Sequence, residues 1–307
     1  MNVIQNGIPT VTEHILSTPR PRDAGLQAPA TTERTGSPLR SKLSINETTT
    51  YRWSLLDDIS AYRDAGISAI GIWRPKLSEF GEERGIELVQ DSGLEVSSLS
   101  WAGGFTGSHG HTYTEAIDDA REAIHVASRL NARSLVIVSG ARAGHTLNHA
   151  QRMLVDALKA LADDAAERQI RLALQPMHRM FSQEWSFLTS LDSTLDVLAA
   201  CDHPSLGIAF DVYHLWQEPR LLERIEQIAP HVATLRLNDW REPPRSDVDR
   251  CLPGEGEIPL REITHTFLES GYDGYFEIDI WSEELWCSDY VELLGRCQRG
   301  FDALCPY

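Results

Sequence analysis

The sequence is short of positive charge. Lysine and arginine number 28 against 45 aspartates and glutamates, a formal net charge of −17. That balance speaks against a nucleic-acid partner, because a protein on a phosphate backbone must supply cations to replace counterions. It speaks against an anionic membrane surface for the same reason. The nearest approach to a basic run, Arg241 to Arg250, is diluted by Glu242, Asp247 and Asp249. Cysteine is also scarce. The five (Cys201, Cys251, Cys287, Cys297, Cys305) are an odd number without a C-x-x-C pair. This excludes a disulfide framework and a cysteine-built zinc site, and it reads as reduced thiols in a cytoplasmic protein. No stretch approaches the roughly 18 apolar residues of a membrane span. No basic start followed by an apolar segment marks a secretory signal. A glycine-rich phosphate loop is missing too: "SINETTTYRW" follows the first β-type run, which disfavours a doubly wound dinucleotide fold.

What is present is a long chain with an ordinary globular composition, 307 residues of which 42% are hydrophobic. Residues 1–40, rich in Thr, Pro, Ser and Arg, read as a flexible tail that buries too little apolar surface to offset its ordering entropy. From residue 41 to 307 short β-type runs alternate with longer helical patterns. The runs are KLSIN (42–46), SAIGIW (68–73), EVSSLSW (95–101), SLVIVSG (134–140), RLALQPM (171–177), LGIAFDV (206–212), VATLRLND (232–239) and YFEIDIW (275–281). Between them, Leu154, Leu158 and Leu161 recur at helical spacing, and Gly93 stands just before a strand as a helix terminator. Eight β–α units predict a (β/α)₈ TIM barrel, which places the functional residues at the C-terminal ends of the strands.

Read in order, those ends carry Asn46 and Glu47; Trp73, Arg74 and Lys76; Trp101; Ser139 and Arg142; Gln175 and His178; Asp211, His214 and Trp216; Arg236, Asn238, Asp239 and Trp240; and Glu277, Asp279 and Trp281. Trp73, Trp101, Trp216, Trp240 and Trp281 are five of the eight tryptophans. They serve either as packing or as flat faces for a small ligand. Asp211 and Glu277 interrupt apolar runs, so each carboxylate must be paired, protonated or metal-bound. Arg236 or Arg74 can supply the pairing cation.

The stretches AGISAIGIW, LALQPMH, GIAFDVYHLW, LRLNDW, PGEGEI and GYDGYFEIDI, in that order and spacing, resemble the xylose-isomerase-like barrels of sugar phosphate isomerases and epimerases. The resemblance implies one divalent metal, of manganese or magnesium type, held at the ends of the fifth to eighth strands by Glu, Asp, His or a neutral substitute, and Glu. Carried over, those positions are Gln175, Asp211, Arg236 and Glu277. Gln175 keeps only an oxygen donor, and Arg236 has no lone pair for a metal. The expected site is therefore metal-free or a weak metal site at Gln175, Asp211 and Glu277, with Arg236 pairing with Asp211 and Glu277.

The expected activity is that of an isomerase or epimerase acting on a sugar-like or polyol-like carbonyl substrate by proton abstraction next to the carbonyl. Glu277 is the expected base, His178 a second acid/base and Arg236 the electrophile. Trp73, Trp101, Arg142, His214, Trp216, Trp240 and Trp281 are the expected substrate contacts. Two alternatives stay open. A lyase, dehydratase or biosynthetic enzyme would draw an anionic substrate to a basic mouth of Arg74, Lys76, Arg142, Arg179, Arg236 and Arg241. A non-catalytic ligand-binding or partner subunit would have lost its metal site. A homodimer is compatible with either.

Overall fold

The computed structural model describes residues 38–304, apart from 109 and 247. The predicted tail lies almost wholly outside the described residues, as does Cys305. Where description begins, Pro38–Lys42 is already a 3₁₀ turn, with Arg40 3.2 Å from Asp302. Residues 38–40, assigned to the tail from the sequence, are thus part of the described body.

Eight parallel strands close into a barrel in sequence order. They are β1 (Leu43–Asn46), β2 (Ala69–Trp73), β3 (Glu95–Gly103), β4 (Ser134–Val138), β5 (Arg171–Leu174), β6 (Leu206–Asp211), β7 (Val232–Leu237) and β8 (Phe276–Ile278). β8 returns to β1 with Glu277 opposite Ser44, which completes the closure. Each predicted run contains its strand except the third, where β3 continues two residues past 101 to Gly103. Helices cover the outside. Leu147–Glu167 starts at a Thr146 cap and buries Leu154, Leu158 and Leu161. Ser54 and Thr112 open Leu55–Asp64 and Tyr113–Arg129 with reciprocal capping boxes to Asp57 and Glu115. Gly93 ends Glu82–Ser92 at φ 76°, a conformation open to glycine without strain. No helix among the described residues is long and apolar enough to cross a membrane. Cys201, Cys251, Cys287 and Cys297 carry free thiols.

Strand alternation sorts side chains between two cores. Leu135, Ile137, Leu172, Leu174, Ile208 and Phe210 pack outward in the large cluster under the helices. Their neighbours Val136, Ala173 and Ala209 form a separate small cluster inside the barrel. The interior is unusually polar near its base: Ser44 meets Ser97 at 2.7 Å and Ser134 meets Thr234 at 2.5 Å. Small residues leave room along the axis for longer side chains from β5 to β8.

Candidate functional site

The same alternation aims Gln175, Asp211, Arg236 and Asn238 inward, together with Glu277 and, two residues on, Asp279. On one strand face, two residues span about 6.5 Å, so Asp279 stands one layer nearer the mouth than Glu277. At that mouth a cavity of about 680 Å³, counted with its open side, is lined by Asn46, Ser100, Trp101, His214, Arg236, Arg250, Asp279 and Trp281 among others.

Glu277 lies beneath this cavity rather than in its wall. It is fully buried and accepts four hydrogen bonds. Oε1 takes Asn46 Nδ2 at 2.9 Å and Arg236 Nε at 3.1 Å. Oε2 takes Ser97 Oγ at 2.6 Å and Ser98 Oγ at 2.7 Å. Gly71 on β2 makes the space: a Cβ there would come within 2.5 Å of Asn46 Nδ2 and 2.7 Å of Glu277 Oε2.

Arg236 is buried and bridges layers. Besides Glu277 it reaches Asp279 Oδ2 at 3.0 Å and Gln175 Oε1 at 3.3 Å, both through NH1, and Ser100 Oγ through NH2. Burial alone would make its proton easier to lose, but the carboxylates of Asp279, Glu277 and Asp211 outweigh that and hold it more firmly. The predicted pairing of Arg236 with Glu277 is present. Asp211 is instead held by a residue from the loop after β7. Arg250 NH1 donates to Asp211 Oδ2 at 3.0 Å and also stands 3.4 Å from Asp279 Oδ2. Asn238 Nδ2, Gln175 Nε2 and the Tyr213 amide complete the Asp211 shell at 3.0, 3.3 and 3.0 Å.

Arg250 is placed by backbone. Its amide donates to Trp281 O at 3.0 Å, and the adjacent Cys251 bridges to Asp239. Asp239 faces away from the cavity and clamps the rest of the loop, accepting from the amides of Trp240, Gly254 and Ile258 at 2.8–3.0 Å. The guanidinium of Arg250 lies over the Tyr213 ring, 4.9 Å from its centroid. Its NH2 donates to His214 Nε2 at 3.2 Å. Arginine has only donors, so His214 accepts there and is neutral. Burial, then the charge of Arg250, hold it well below the ordinary imidazole value. The 3.7 Å approach of His214 to Asp211 is therefore not an ion pair.

Other predicted residues scatter. Trp101, His214 and Trp281 line the cavity, and Trp185 stands edge-on to Trp101 at 5.3 Å. Trp73 is packed against Tyr51 and Trp281, and Trp240 against Tyr213 and His178. Trp216 lines a separate outer groove, and Arg142 is exposed. His178 is half-buried outside the cavity and receives the Met180 amide on Nδ1 at 3.4 Å. Burial lowers its pKa, opposed by a hydrogen bond with Gln217.

The expected basic mouth is corrected in membership. Arg74 grips Asp119 at 2.8 and 2.9 Å, Lys76 is buried against Asp58 at 2.6 Å, and Arg241 sits 3.4 Å from Asp249. Arg179 is exposed outside the lining. The cavity's cations are Arg236 and Arg250. Sequence reading missed Asp279 as a lining residue and Arg250 altogether. Strand alternation already puts Asp279 on the face of Glu277, nearer the mouth. Arg250 carries no comparable signal, because a loop delivers it.

The donor set does not suit a divalent ion. Among the described residues no group of three or more His, Cys, Asp and Glu side chains is arranged to hold one. The oxygens of Asp211, Asp279 and Gln175 are met by two guanidinium groups.

A family model described as xylose isomerase-like TIM barrel matches residues 59–298. A solved protein of Sinorhizobium meliloti is similar at TM-score 0.82 and 28% identity, over 87% of this chain and 99% of that one. A 3-dehydroshikimate dehydratase of Pseudomonas putida is 20% identical over 244 residues, 75% of this chain but 36% of the relative. A fructoselysine 3-epimerase of Shigella flexneri is 26% identical over 174 residues, 55% of this chain and 60% of the relative. The chain thus spans between about a third and three fifths of these curated relatives.

Proposed function

The chain belongs to the xylose isomerase-like TIM barrel family, and we propose that within it this protein is an isomerase or epimerase of a small hydroxylated carbonyl compound, working by proton abstraction next to the carbonyl. One observation carries the reading: Arg236, Arg250 and Asp279 meet in the wall of a single cavity at the C-terminal mouth of the barrel.

In this reaction the Asp279 carboxylate takes the proton from the carbon beside the carbonyl. The C–H electron pair moves onto the carbonyl oxygen and forms an enolate. Arg236 and Arg250 donate hydrogen bonds to that oxygen, where charge develops. Protonation of the enolate on the opposite face by water inverts the centre, and the hydroxide left behind takes up the proton held by Asp279. Return of the proton to the former carbonyl carbon, with a proton shift between oxygens, isomerises the substrate. Trp101 and Trp281 offer flat apolar faces to the C–H face of the substrate, and Asn46, Gln175 and Ser100 offer partners to its hydroxyls. Glu277 serves here by fixing Arg236, and His178 stands apart from the reacting atoms.

A second reading, dehydration, shares the enolate. A β-hydroxyl group then leaves as water after accepting a proton. The dehydratase likeness, which spans more of this chain than the epimerase likeness, favours it. So does Arg250 Nε, a buried donor without a partner that suits a substrate carboxylate.

Deuterium incorporation from D₂O, followed by NMR, tests the shared step. Neutral ketoses, ketose phosphates and a cyclic β-hydroxy keto acid are the substrates to compare. Asp279→Asn should lower exchange by at least about 100-fold. Undiminished exchange in that variant removes Asp279 as the base. Saturable binding by calorimetry with no exchange for any compound would favour a ligand-binding protein instead.

A further inference from the structure

We infer that Arg236 and Arg250 together take the place of a divalent cation, so that the cavity carries its electrophilic charge on side chains of the chain itself. This goes beyond the reaction proposed above and does not depend on it. Oxygens from three strand ends on one side of the barrel converge: Gln175 after β5, Asp211 on β6 and, across β7, Asp279 after β8. At their meeting point stand two guanidinium nitrogens. Arg236 NH1 lies 3.0 Å from Asp279 Oδ2 and 3.3 Å from Gln175 Oε1. Arg250 NH1 lies 3.0 Å from Asp211 Oδ2 and 3.4 Å from Asp279 Oδ2. Asp279 Oδ2 is shared, as an oxygen bridging two cations is shared. These are the lone pairs an oxygen-ligated ion would use at roughly 2.0–2.6 Å. The two guanidinium charges sum to that of a divalent ion, and neither can be lost by deprotonation.

Both groups are anchored away from the cavity as a bound ion would be by its ligands. Arg236 is tied to Glu277 and Ser100. Arg250 is tied to His214 and to the carbonyl of Asp279 at 3.3 Å, with its own amide on Trp281 O. A chelator has nothing to remove from this arrangement, and an added ion meets two fixed positive charges.

The test is to exchange the guanidinium groups for ligands. In Gln175→Glu/Arg236→His/Arg250→Ala, four ligands remain at the ends of β5 to β8. After incubation with cobalt(II) and desalting, elemental analysis should find about one equivalent of cobalt per chain in this variant, at least about tenfold more than in the unaltered protein. A visible d–d band should accompany it. Because the triple variant can fail to fold, Arg236→Gln/Arg250→Gln is measured beside it by thermal unfolding. Manganese or cobalt should raise the Tm of this double variant by several degrees and leave that of the unaltered protein unchanged. Stoichiometric metal in the unaltered protein, an equal ion-dependent rise in its Tm, no rise in the double variant, or a folded triple variant without metal would each overturn the inference.

Discussion

Two buried ionic clusters lie back to back at the end of β1, and they handle the same problem differently. Asn46 turns inward to the cavity, while the next residue, Glu47, turns outward beneath the Leu55–Asp64 helix. The cavity cluster sets Arg236 and Arg250 against Asp211, Asp279 and Glu277. The outer cluster sets Lys76 against Asp58 and Glu47. Each carries one surplus carboxyl group. In the cavity the surplus is met with donors: Glu277 is surrounded by four. In the outer cluster donors run out. Lys76 spends its ammonium on Asp58 at 2.6 Å and on the carbonyls of Glu47 and Thr50 at 3.0 and 2.9 Å. Glu47 receives the Trp73 amide on Oε2 at 2.7 Å, and its remaining hydrogen bond is with the Asp58 carboxyl, which needs a proton on one of the two. Burial, then the neighbouring charge of Asp58, push the Glu47 carboxyl well up, and burial pushes Asp58 to about 6. A surplus buried carboxyl group in this fold is thus either surrounded by donors, as Glu277 is, or driven toward its protonated form, as Glu47 is.

The sharpest break of this contrast is Glu277→Leu. It strands Arg236 and three further donors, and should cost about 3–5 kcal/mol in urea unfolding. Asp279→Asn keeps an acceptor at the cavity wall and should cost markedly less while removing exchange. Lys76→Met should cost about 3 kcal/mol at neutral pH. Without Lys76, whose charge and hydrogen bond lower the Asp58 carboxyl, Asp58 takes up its proton at higher pH, so that deficit should shrink as the pH falls towards about 6 and change little below it.

The pH dependence follows from the same raised carboxyl. Asp58 holds its proton to about 6 in the fold, against about 3.9 in the unfolded chain. The folded state therefore binds more protons between those values. The stabilisation from this group is absent above about 6, grows as pH falls through that window, and is complete below about 4. Tm profiles of Asp58→Asn should lack the rise that the unaltered protein draws from this group over that window. Gly71→Ala should cost about 1–3 kcal/mol by forcing Asn46 and Glu277 apart. The smallest effect belongs to the surface. Arg220→Ala, which breaks an exposed pair with Glu223, should stay within about 0.5 kcal/mol.

Much of this was legible in the residues. The β–α rhythm led to the barrel, and the strand ends led to Gln175, Asp211, Arg236 and the Trp101, His214 and Trp281 linings. Glu277 and Asp279 were both visible in YFEIDIW, but the sequence alone gave no depth. Which of two carboxylates on one face reaches the mouth depends on where β8 ends against β7 and β1. The tryptophans misled because aromatic groups at a rim pack equally well on one another, as Trp73 and Trp240 do. Arg74 and Lys76 misled because a cation near a strand end can turn outward to a helix carboxylate.

What the sequence determined by itself was periodic: eight β–α units, the inward alternation of Gln175, Arg236, Glu277 and Asp279, and the surplus of acidic residues. Those properties are local, set by pleat and helix pitch within a few residues. The tertiary structure alone decided which charges neutralise which. It brought Arg250, on a loop clamped by Asp239, to Asp211 across 39 residues of chain, and it closed β8 on β1 so that Asn46 meets Glu277. Ion pairing is a matter of distance and burial in space, and neither is encoded in the order of neighbouring residues.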